Sequence, residues 1–312
     1  MTYVPIFDWE LLHRTRGPRS DGAVAYRYHR DLELAVNVAL AAGRPLLLRG
    51  KPGSGKSTLA ADVAWKLERR FYAHVVTSKT EAQDLQWRFD AVGRLSFATS
   101  GERMPATESF VTPGVLWWAF DPSSAAKHGT GAPARRPWGD EGRHAVVLLD
   151  EIDKAEPDVP NDLLAVLDRR EFYVQETTTQ VKAPENLEVL LVITTNDERD
   201  MPDAFLRRCI TYELPAPEDT ELEAIAKLHF PAMQDSLITR VRELFETLGV
   251  EATSQNRRRP STAELIDALR ACTKLGIASK DDAAWEEIAR ASMWKHGKPK
   301  SGAAAKSGAV KG

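Results

Sequence analysis

The sequence predicts an α/β fold in which a parallel sheet is flanked by helices and is followed by a small all-α domain. Three observations lead to this prediction. Short apolar runs without polar alternation recur between residues 45 and 214, which is typical of strands buried on both faces. Helical patterns separate these runs, and such alternation favours parallel pairing. After Pro215 the strand-like runs end and only helical periodicity continues.

The elements of the α/β region are predicted in a regular order. A helix over residues 31–42, ended by Gly43, precedes the first strand, and a helix over residues 57–70 follows it. The predicted strands are residues 45–48, 71–77, 145–149, 189–194 and 210–214. Residues 79–144 carry additional material. Within it, the stretch 129–137 is rich in Gly, Pro and Ala, and we expect it to be mobile.

The remainder of the chain divides into three further segments. Residues 1–30 are polar, rich in Arg and Tyr, and form a lead-in to the α/β domain at 31–214. A helical lid domain is predicted at 215–297, with Ser261 and Glu264 forming a capping box. Its predicted helices are residues 219–228, 236–248, 262–275 and 281–294. The tail at 298–312 has nothing to bury, and we expect it to be disordered.

Composition narrows the class of protein. The net charge is −3, whereas a protein built mainly to coat nucleic acid is usually basic. Cys209 and Cys272 show no metal-ligand spacing and fit free thiols in a reducing compartment. No apolar stretch is long enough to cross a bilayer, and the N-terminus has no signal-peptide pattern. We therefore expect a cytoplasmic protein without a membrane segment.

Residues 50–57 carry the strongest chemical signal in the sequence. They match G-x-x-x-x-G-K-[ST] in full, directly after a predicted strand and at the start of a predicted helix. Glycines let backbone N–H groups turn toward phosphates, and the helix N-terminus adds a positive dipole end. We expect Lys56 to bind the β- and γ-phosphates and Ser57 to ligate Mg²⁺. The predicted nucleotide-binding residues are Gly50, Lys51, Pro52, Gly53, Ser54, Gly55, Lys56, Ser57 and Thr58.

Polar residues also follow two other predicted strands. Asp150 and Glu151 come directly after the apolar run 145–149. An Asp at this place can hold Mg²⁺, and the Glu can polarise the attacking water. Asn196 follows the next strand. If that strand lies between the other two, Asn196 can orient the water near the γ-phosphate, although an Asn after a strand is often only a turn residue.

Taken in order, these motifs resemble the AAA+ ATPases. The phosphate loop is followed by Leu-Leu-Asp-Glu-Ile-Asp, Thr-Thr-Asn, and Pro-Asp-Ala-Phe-Leu-Arg-Arg before a helical region. Within this family the chain is most similar to the MoxR-type branch, in the segment that begins at Asp150 and in a predicted hairpin over residues 170–181. The likeness spans roughly residues 31–275. It implies a P-loop AAA+ sheet flanked by helices and a small all-α lid, with ATP bound together with Mg²⁺.

The resemblance also implies a role for two adjacent arginines. Arg207 or Arg208 would reach the nucleotide of a neighbouring subunit as an arginine finger, and Arg208 is the closer positional match. Two such arginines are otherwise ordinary surface charges. A finger contributes ~10³–10⁵ in rate, so an isolated subunit is expected to be nearly idle.

Four further predictions concern the lid, the nucleotide and the core. Many family members have an arginine at the start of a lid helix, but the helix after Pro260 begins without one. The triplet at 257–259 is therefore either a substitute or a solvated loop, and the sequence leaves both open. Residues 26–30 are candidates for contacting the nucleotide base. Trp117 and Trp118 are expected in the core, and the absence of an Asn-Lys-x-Asp motif favours ATP over GTP.

The expected function is Mg²⁺-dependent ATP hydrolysis by a homo-oligomeric ring of six subunits. The output is expected to be remodelling or activation of a partner protein, for which the resemblance suggests a von Willebrand factor A-type domain. The alternative is a nucleic-acid-acting motor of a restriction or defence system. A nucleotide-gated switch with little turnover is a third reading. All three share the motifs quoted above.

Overall fold

The computed structural model describes residues 4–16, 26–101, 103–128, 144–277, 282 and 284–294. The stretch 129–137 and the tail 298–312, expected to be mobile and disordered, lie outside the described residues, as do residues 17–25 of the lead-in. The chain divides into two compact units, Met1–Lys51 with Gly55–Pro215, and Pro52–Ser54 with Ala216–Gly312. None of the described helices is both long and apolar enough to span a bilayer.

The order of elements alternates strands and helices in the first unit and is all-helical in the second. The described helices are α1 Trp9–Arg16, α2 Arg30–Ala42, α3 Lys56–Lys66, α4 Ala91–Ser100, α5 Val115–Phe120, α6 Pro122–Ala125, α7 Val159–Arg169, α8 Asp203–Leu206, α9 Asp219–His229, α10 Asp235–Ser254, α11 Thr262–Lys274 and α12 Ala284–Met293. The described strands are β1 Leu46–Arg49, β2 Arg70–Val75, β3 Trp87–Phe89, β4 Val111–Pro113, β5 Ala145–Asp150, β6 Glu171–Val174, β7 Thr179–Lys182, β8 Val189–Thr195 and β9 Ile210–Glu213.

The predicted parallel sheet is confirmed, and β8 lies at its centre. The strand order is β2-β5-β8-β1-β9, and every neighbouring pair is parallel. Alternate residues of each inner strand enter two different apolar clusters: in β5, Val147 and Leu149 join one cluster, whereas Val146 and Leu148 join the other. Both faces of the sheet are therefore covered, which explains why its strands are uninterrupted apolar runs.

The predicted end of α3 and the predicted start of β2 are both wrong. The helix predicted to reach residue 70 ends at Lys66, and Glu68 takes a left-handed backbone conformation with φ 53°. Arg70 instead begins β2, and its buried guanidinium donates to the carbonyls of Trp118 and Ala119 at 3.1 and 3.2 Å. The expected placement of Trp117 and Trp118 in the core is confirmed, with 0% and 7% of their surface exposed.

Two separate two-stranded antiparallel sheets accompany the parallel sheet. β3 and β4 pair around the exposed helix α4, and β6 pairs with β7 as the hairpin predicted near residues 170–181. The two pairs are joined at Trp87, whose ring stacks on Phe172 and whose Nε1–H donates to Glu176 at 3.0 Å. The hairpin is thus fixed to the α/β unit through side chains and not only through its strand ends.

The helical unit has its own core and the four helices that the sequence predicts. Apolar residues of α9, α10, α11 and α12 form one cluster, including Leu237, Val241 and Leu269. The predicted capping box at the start of α11 is formed, since the Ser261 N–H donates to Glu264 Oε2 at 2.7 Å. α10 continues to Ser254, six residues beyond its predicted end at residue 248.

His229 at the end of α9 gives the helical unit an expected pH dependence. Burial, with a smaller contribution from the nearby Arg270, lowers the pKa of His229 from 6.5 to about 4. His229 therefore takes up a proton at higher pH in the unfolded chain than in the folded chain. Its contribution to the free energy of unfolding should be fully present above pH 6.5 and should be lost as the pH decreases toward 4.

We expect thermal melts to show that the wild type loses more stability than His229→Gln when the pH is lowered from about 7 to about 5, by on the order of 1 kcal/mol. The comparison removes the contribution of other titrating groups because they are the same in both proteins. An identical loss in both would contradict the assignment.

Candidate nucleotide-binding and hydrolysis site

The carboxyl ends of β1, β5 and β8 meet at one edge of the sheet. The parallel register pairs Arg49 of β1 with Thr195 of β8, and Leu149 of β5 with Ile193 of β8. The phosphate loop follows β1, and α3 begins at Lys56. Three separate segments of the sequence are thereby brought to the same place, which is where parallel α/β sheets bind their ligands.

The start of α3 offers unpaired donors to an anion. Its N-cap residue, Gly55, has φ 92°, a conformation that favours glycine, and no side chain caps the first turn. The first N–H groups of a helix have no intrahelical partner, and the dipole there favours negative charge. A phosphate therefore fits this loop. The Tyr26 ring lies against it, since a Cβ added to Gly55 would sit 3.0 Å from Tyr26 Cε2.

Lys56, the first residue of α3, bonds back to the loop that precedes it. Its Nζ donates to the carbonyls of Gly50 and Lys51 at 2.7 and 3.0 Å and to Asn196 Oδ1 at 3.0 Å. Burial lowers the pKa of Lys56, and the nearby carboxylates, Asp150 first among them, oppose this shift. The ammonium group is thus fixed at the mouth of the loop, directly before the free N–H groups of α3.

Ser57 and Asp150 lie close enough together to bind one metal ion. Ser57 Oγ lies 2.9 and 2.8 Å from the two carboxylate oxygens of Asp150. A hydroxyl and a carboxylate are hard oxygen ligands, and Mg²⁺ in nucleotide sites takes one or two such ligands together with water and phosphate oxygens. These residues fit Mg²⁺, and they are the pair that the sequence predicts.

Glu151 and Asn196 face each other across the same edge. Glu151 Oε1 accepts from Asn196 Nδ2 at 3.3 Å, while its Oε2 accepts from Lys154 Nζ at 2.5 Å. The bond to Glu151 is also the main reason why the pKa of Lys154 is raised. Because Asn196 contacts Lys56 as well, it connects the phosphate loop with the acidic pair. β8 lies between β1 and β5, so the arrangement on which the Asn196 prediction depended is present.

Three residues of this cluster were not identified from the sequence as functional. Asp153 is 2% exposed, and its Oδ2 accepts from the N–H groups of Asn196 and Glu198 at 3.0 and 3.1 Å. Lys154 binds Glu151, and Thr194 bonds to both Asp150 and Glu151. The only available signal was their place within or beside the quoted motifs. The partners of Asp153 and Thr194 lie on distant segments, and Lys154 lies three residues after Glu151.

The two candidate finger arginines lie apart from this cluster. Arg207 and Arg208 are exposed and directly follow α8. Arg208 lies 3.7 Å from Asp168 in an exposed ion pair, which contributes little to stability. In the described part of the chain, neither arginine makes a hydrogen bond or an ion pair with Lys56, Glu151 or Asn196.

The arginine triplet before α11 makes its contacts inside the helical unit. Arg258 pairs with Glu264 at 2.5 Å, and Arg259 pairs with Glu246 at 3.3 Å. Arg257 lies over the Trp294 ring, 5.6 Å from its centroid. The triplet is thus partly engaged rather than wholly solvated. Its proposed role near the nucleotide stays a prediction.

Two solved structures and one family model are similar to this chain. Among solved structures, the chain is similar to a mutant of RuvB from Thermotoga maritima, with 16% identity, a TM-score of 0.47, and coverage of 86% of this chain and 70% of that one. It is also similar to the Thermotoga maritima RuvB Holliday junction branch migration motor, with 17% identity, a TM-score of 0.44, and coverage of 85% and 66%. The family model described as "AAA domain (dynein-related subfamily)" matches residues 45–209. This match spans more than half of the chain, which therefore belongs to this family of AAA+ ATPases.

Proposed function

We propose that the chain is a MoxR-type AAA+ ATPase that hydrolyses ATP with Mg²⁺ in a homo-oligomeric ring, of six subunits, and uses this energy to remodel or activate a partner protein. The observation that carries the hydrolysis is the cluster of Lys56, Ser57, Asp150, Glu151 and Asn196. Lys56, Asn196 and Glu151 are bonded in series, Ser57 bonds to Asp150, and Thr194 links the two groups. Its members come from three strand ends, and each has the chemical type that phosphoryl transfer to water requires.

Each residue of the cluster has a distinct task. Lys56 and the N–H groups at the start of α3 bind the β- and γ-phosphates. Ser57 and Asp150 would hold Mg²⁺, which would supply positive charge to the phosphate oxygens. Glu151 accepts a proton from the attacking water, and Asn196 orients that water. Lys154 bonds to one Glu151 oxygen and so helps to hold the carboxylate in place.

The place of the arginines supports the proposed ring. A finger must reach the transferred phosphoryl group, yet Arg207 and Arg208 lie on the surface without a bond to the site of their own subunit. Their resemblance to fingers is therefore compatible with action on a neighbouring subunit. Arg207 makes no ion pair within the described residues, whereas Arg208 would exchange Asp168 for the nucleotide.

The hairpin of β6 and β7 supports a protein as the partner. Its side chains include Glu171 and Glu176, and its one lysine, Lys182, lies 3.7 Å from Glu171. Tyr173 on β6 is 51% exposed. An acidic hairpin with an exposed aromatic ring repels phosphate backbones but suits a protein surface. The von Willebrand factor A-type domain suggested by the resemblance is one such partner.

Nucleic acid is expected to have no effect on ATP turnover at physiological salt. A basic surface would be needed to bind phosphates, and each neutralised phosphate would add about −0.9 to the log–log salt slope on duplex DNA. The measurement is steady-state ATPase activity of the wild type with and without duplex DNA, single-stranded DNA or RNA. A several-fold stimulation would replace the protein-remodelling proposal with a nucleic-acid motor. Near-zero turnover of the assembled ring would indicate a nucleotide-gated switch.

A further inference from the structure

Thr194 links the two acidic residues of the site through one hydroxyl group. Its Oγ1 lies 2.5 Å from Asp150 Oδ1 and accepts the backbone N–H of Glu151 at 2.9 Å. Thr194 is fully buried near the end of β8, the central strand of the sheet. No other side chain among the described residues bonds to both members of the acidic pair.

The hydroxyl at this position is not explained by packing. Residues 189–193 of β8 are all apolar, and a valine at position 194 would fill the same volume. A buried hydroxyl costs free energy unless it is hydrogen-bonded. A threonine has one proton to donate and lone pairs to accept. Here the proton is directed at Asp150 and a lone pair receives the Glu151 N–H, so both capacities serve the acidic pair.

The bond to Glu151 supports an uncommon backbone conformation. Glu151 has φ 63° and ψ 51°, the left-handed region that residues with side chains rarely adopt. In this conformation its N–H reaches the Thr194 hydroxyl. Such a conformation persists only where the surroundings determine it. Thr194 therefore helps to set the turn from which the Glu151 carboxylate projects toward Asn196.

The bond to Asp150 fixes the rotation of a carboxylate. Thr194 and Ser57 both approach Oδ1, and Ser57 also lies 2.8 Å from Oδ2. With Oδ1 held by β8, the Asp150 carboxylate keeps the orientation in which it meets Ser57. Groups behind a metal ligand orient it in this way, and their loss commonly costs 10–100-fold in metal affinity or activity, roughly.

We infer that Thr194 is a positioning residue that holds Asp150 for Mg²⁺ and Glu151 for the water. The inference rests on the proposed function, because it assumes that the acidic pair acts on ATP with Mg²⁺. In this proposal Thr194 contacts neither the Mg²⁺ ion nor the attacking water. Its effect must therefore appear as a change in how the protein uses Mg²⁺, and not merely as a loss of stability.

The test is a Mg²⁺ titration of the full-length chain with a fluorescent ATP analogue. Thr194→Val, which keeps the volume and removes the hydroxyl, should need roughly 10-fold more Mg²⁺ for half-maximal binding and should turn over ATP roughly 10-fold more slowly. Its binding of the analogue in EDTA should match that of the wild type. Thr194→Ser, which keeps the hydroxyl, should recover both values to within about two-fold.

A matched control and a second comparison keep the result decisive. Thr195→Val removes an equally buried hydroxyl that, within the described residues, accepts only the Asp197 N–H, so the Mg²⁺ requirement should not change. If Thr194→Val does not fold, Thr194→Ser against Thr194→Ala isolates the hydroxyl, because both lack the methyl group. An unchanged Mg²⁺ requirement in the variant without the hydroxyl overturns the inference alone. A wild type whose binding and turnover ignore Mg²⁺ overturns the proposed function as well.

Discussion

Replacing Glu151 with glutamine should leave ATP binding intact and lower turnover by roughly 10²–10⁴-fold, the usual contribution of a general base. The amide keeps the size of the side chain and can still bond to Asn196, but it cannot accept the proton of the attacking water. Lys56→Ala should behave differently. It removes the ammonium that is bonded to the loop carbonyls, so affinity should fall together with turnover.

Fluorescent-nucleotide titration and steady-state hydrolysis measure the two effects separately. Glu156→Gln is the matched control, since it makes the same change in an exposed glutamate near the site, and it should leave both measurements unchanged. An equal loss of affinity in Glu151→Gln and Lys56→Ala would show that the two residues do not have the distinct roles proposed here.

Removing the arginine finger should lower turnover of the assembled protein by ~10³–10⁵-fold. We expect this loss in Arg208→Ala, or in Arg207→Ala if that residue is the finger. Arg169→Ala, at an exposed arginine on α7, is the matched control and should not lower turnover. Because the proposed finger acts on a neighbouring subunit, specific activity of the wild type should rise with protein concentration.

Mixing two inactive proteins tests the subunit boundary directly. A boundary that takes Glu151 from an Arg208→Ala subunit and Arg208 from a Glu151→Gln subunit contains one intact site. The mixture should therefore regain part of the hydrolysis that neither protein shows alone. A rate that is independent of concentration, without recovery in the mixture, would contradict a finger supplied by a neighbour.

The sheet could be predicted from the sequence because burial on both faces leaves a local signal. The apolar run at Val146–Leu149 in β5 needs no distant information to be recognised as a buried strand. The end of α3 could not be predicted in this way. Arg70 resembles the polar end of a helix, and only the carbonyls of Trp118 and Ala119, 48 and 49 residues away, explain why it is buried in a strand.

Helix α4 was missed for a related reason. It has no buried residue, and its apolar side chains Val92 and Leu95 are exposed, so they do not mark a helix face that packs on the core. Its start depends on Asp90, whose side chain accepts from the Gly93 N–H at 2.8 Å. One polar cap is weak evidence in a sequence read alone.

Some residues of the site could likewise be identified from neighbouring sequence, whereas others depend on residues far away in the chain. The phosphate loop is one continuous motif and could be identified completely. Asp153 could not, because its task is to accept the N–H groups of Asn196 and Glu198, 43 and 45 residues further along the chain. Its contact with them exists only because β8 lies beside β5.

The bonds between Lys56 and its own loop affect the enthalpy of nucleotide binding. The ammonium has three N–H donors, and all three are used, on the carbonyls of Gly50 and Lys51 and on Asn196 Oδ1. Binding a phosphate oxygen therefore exchanges one of these bonds for a new one. Only the difference between the two bonds adds to the affinity.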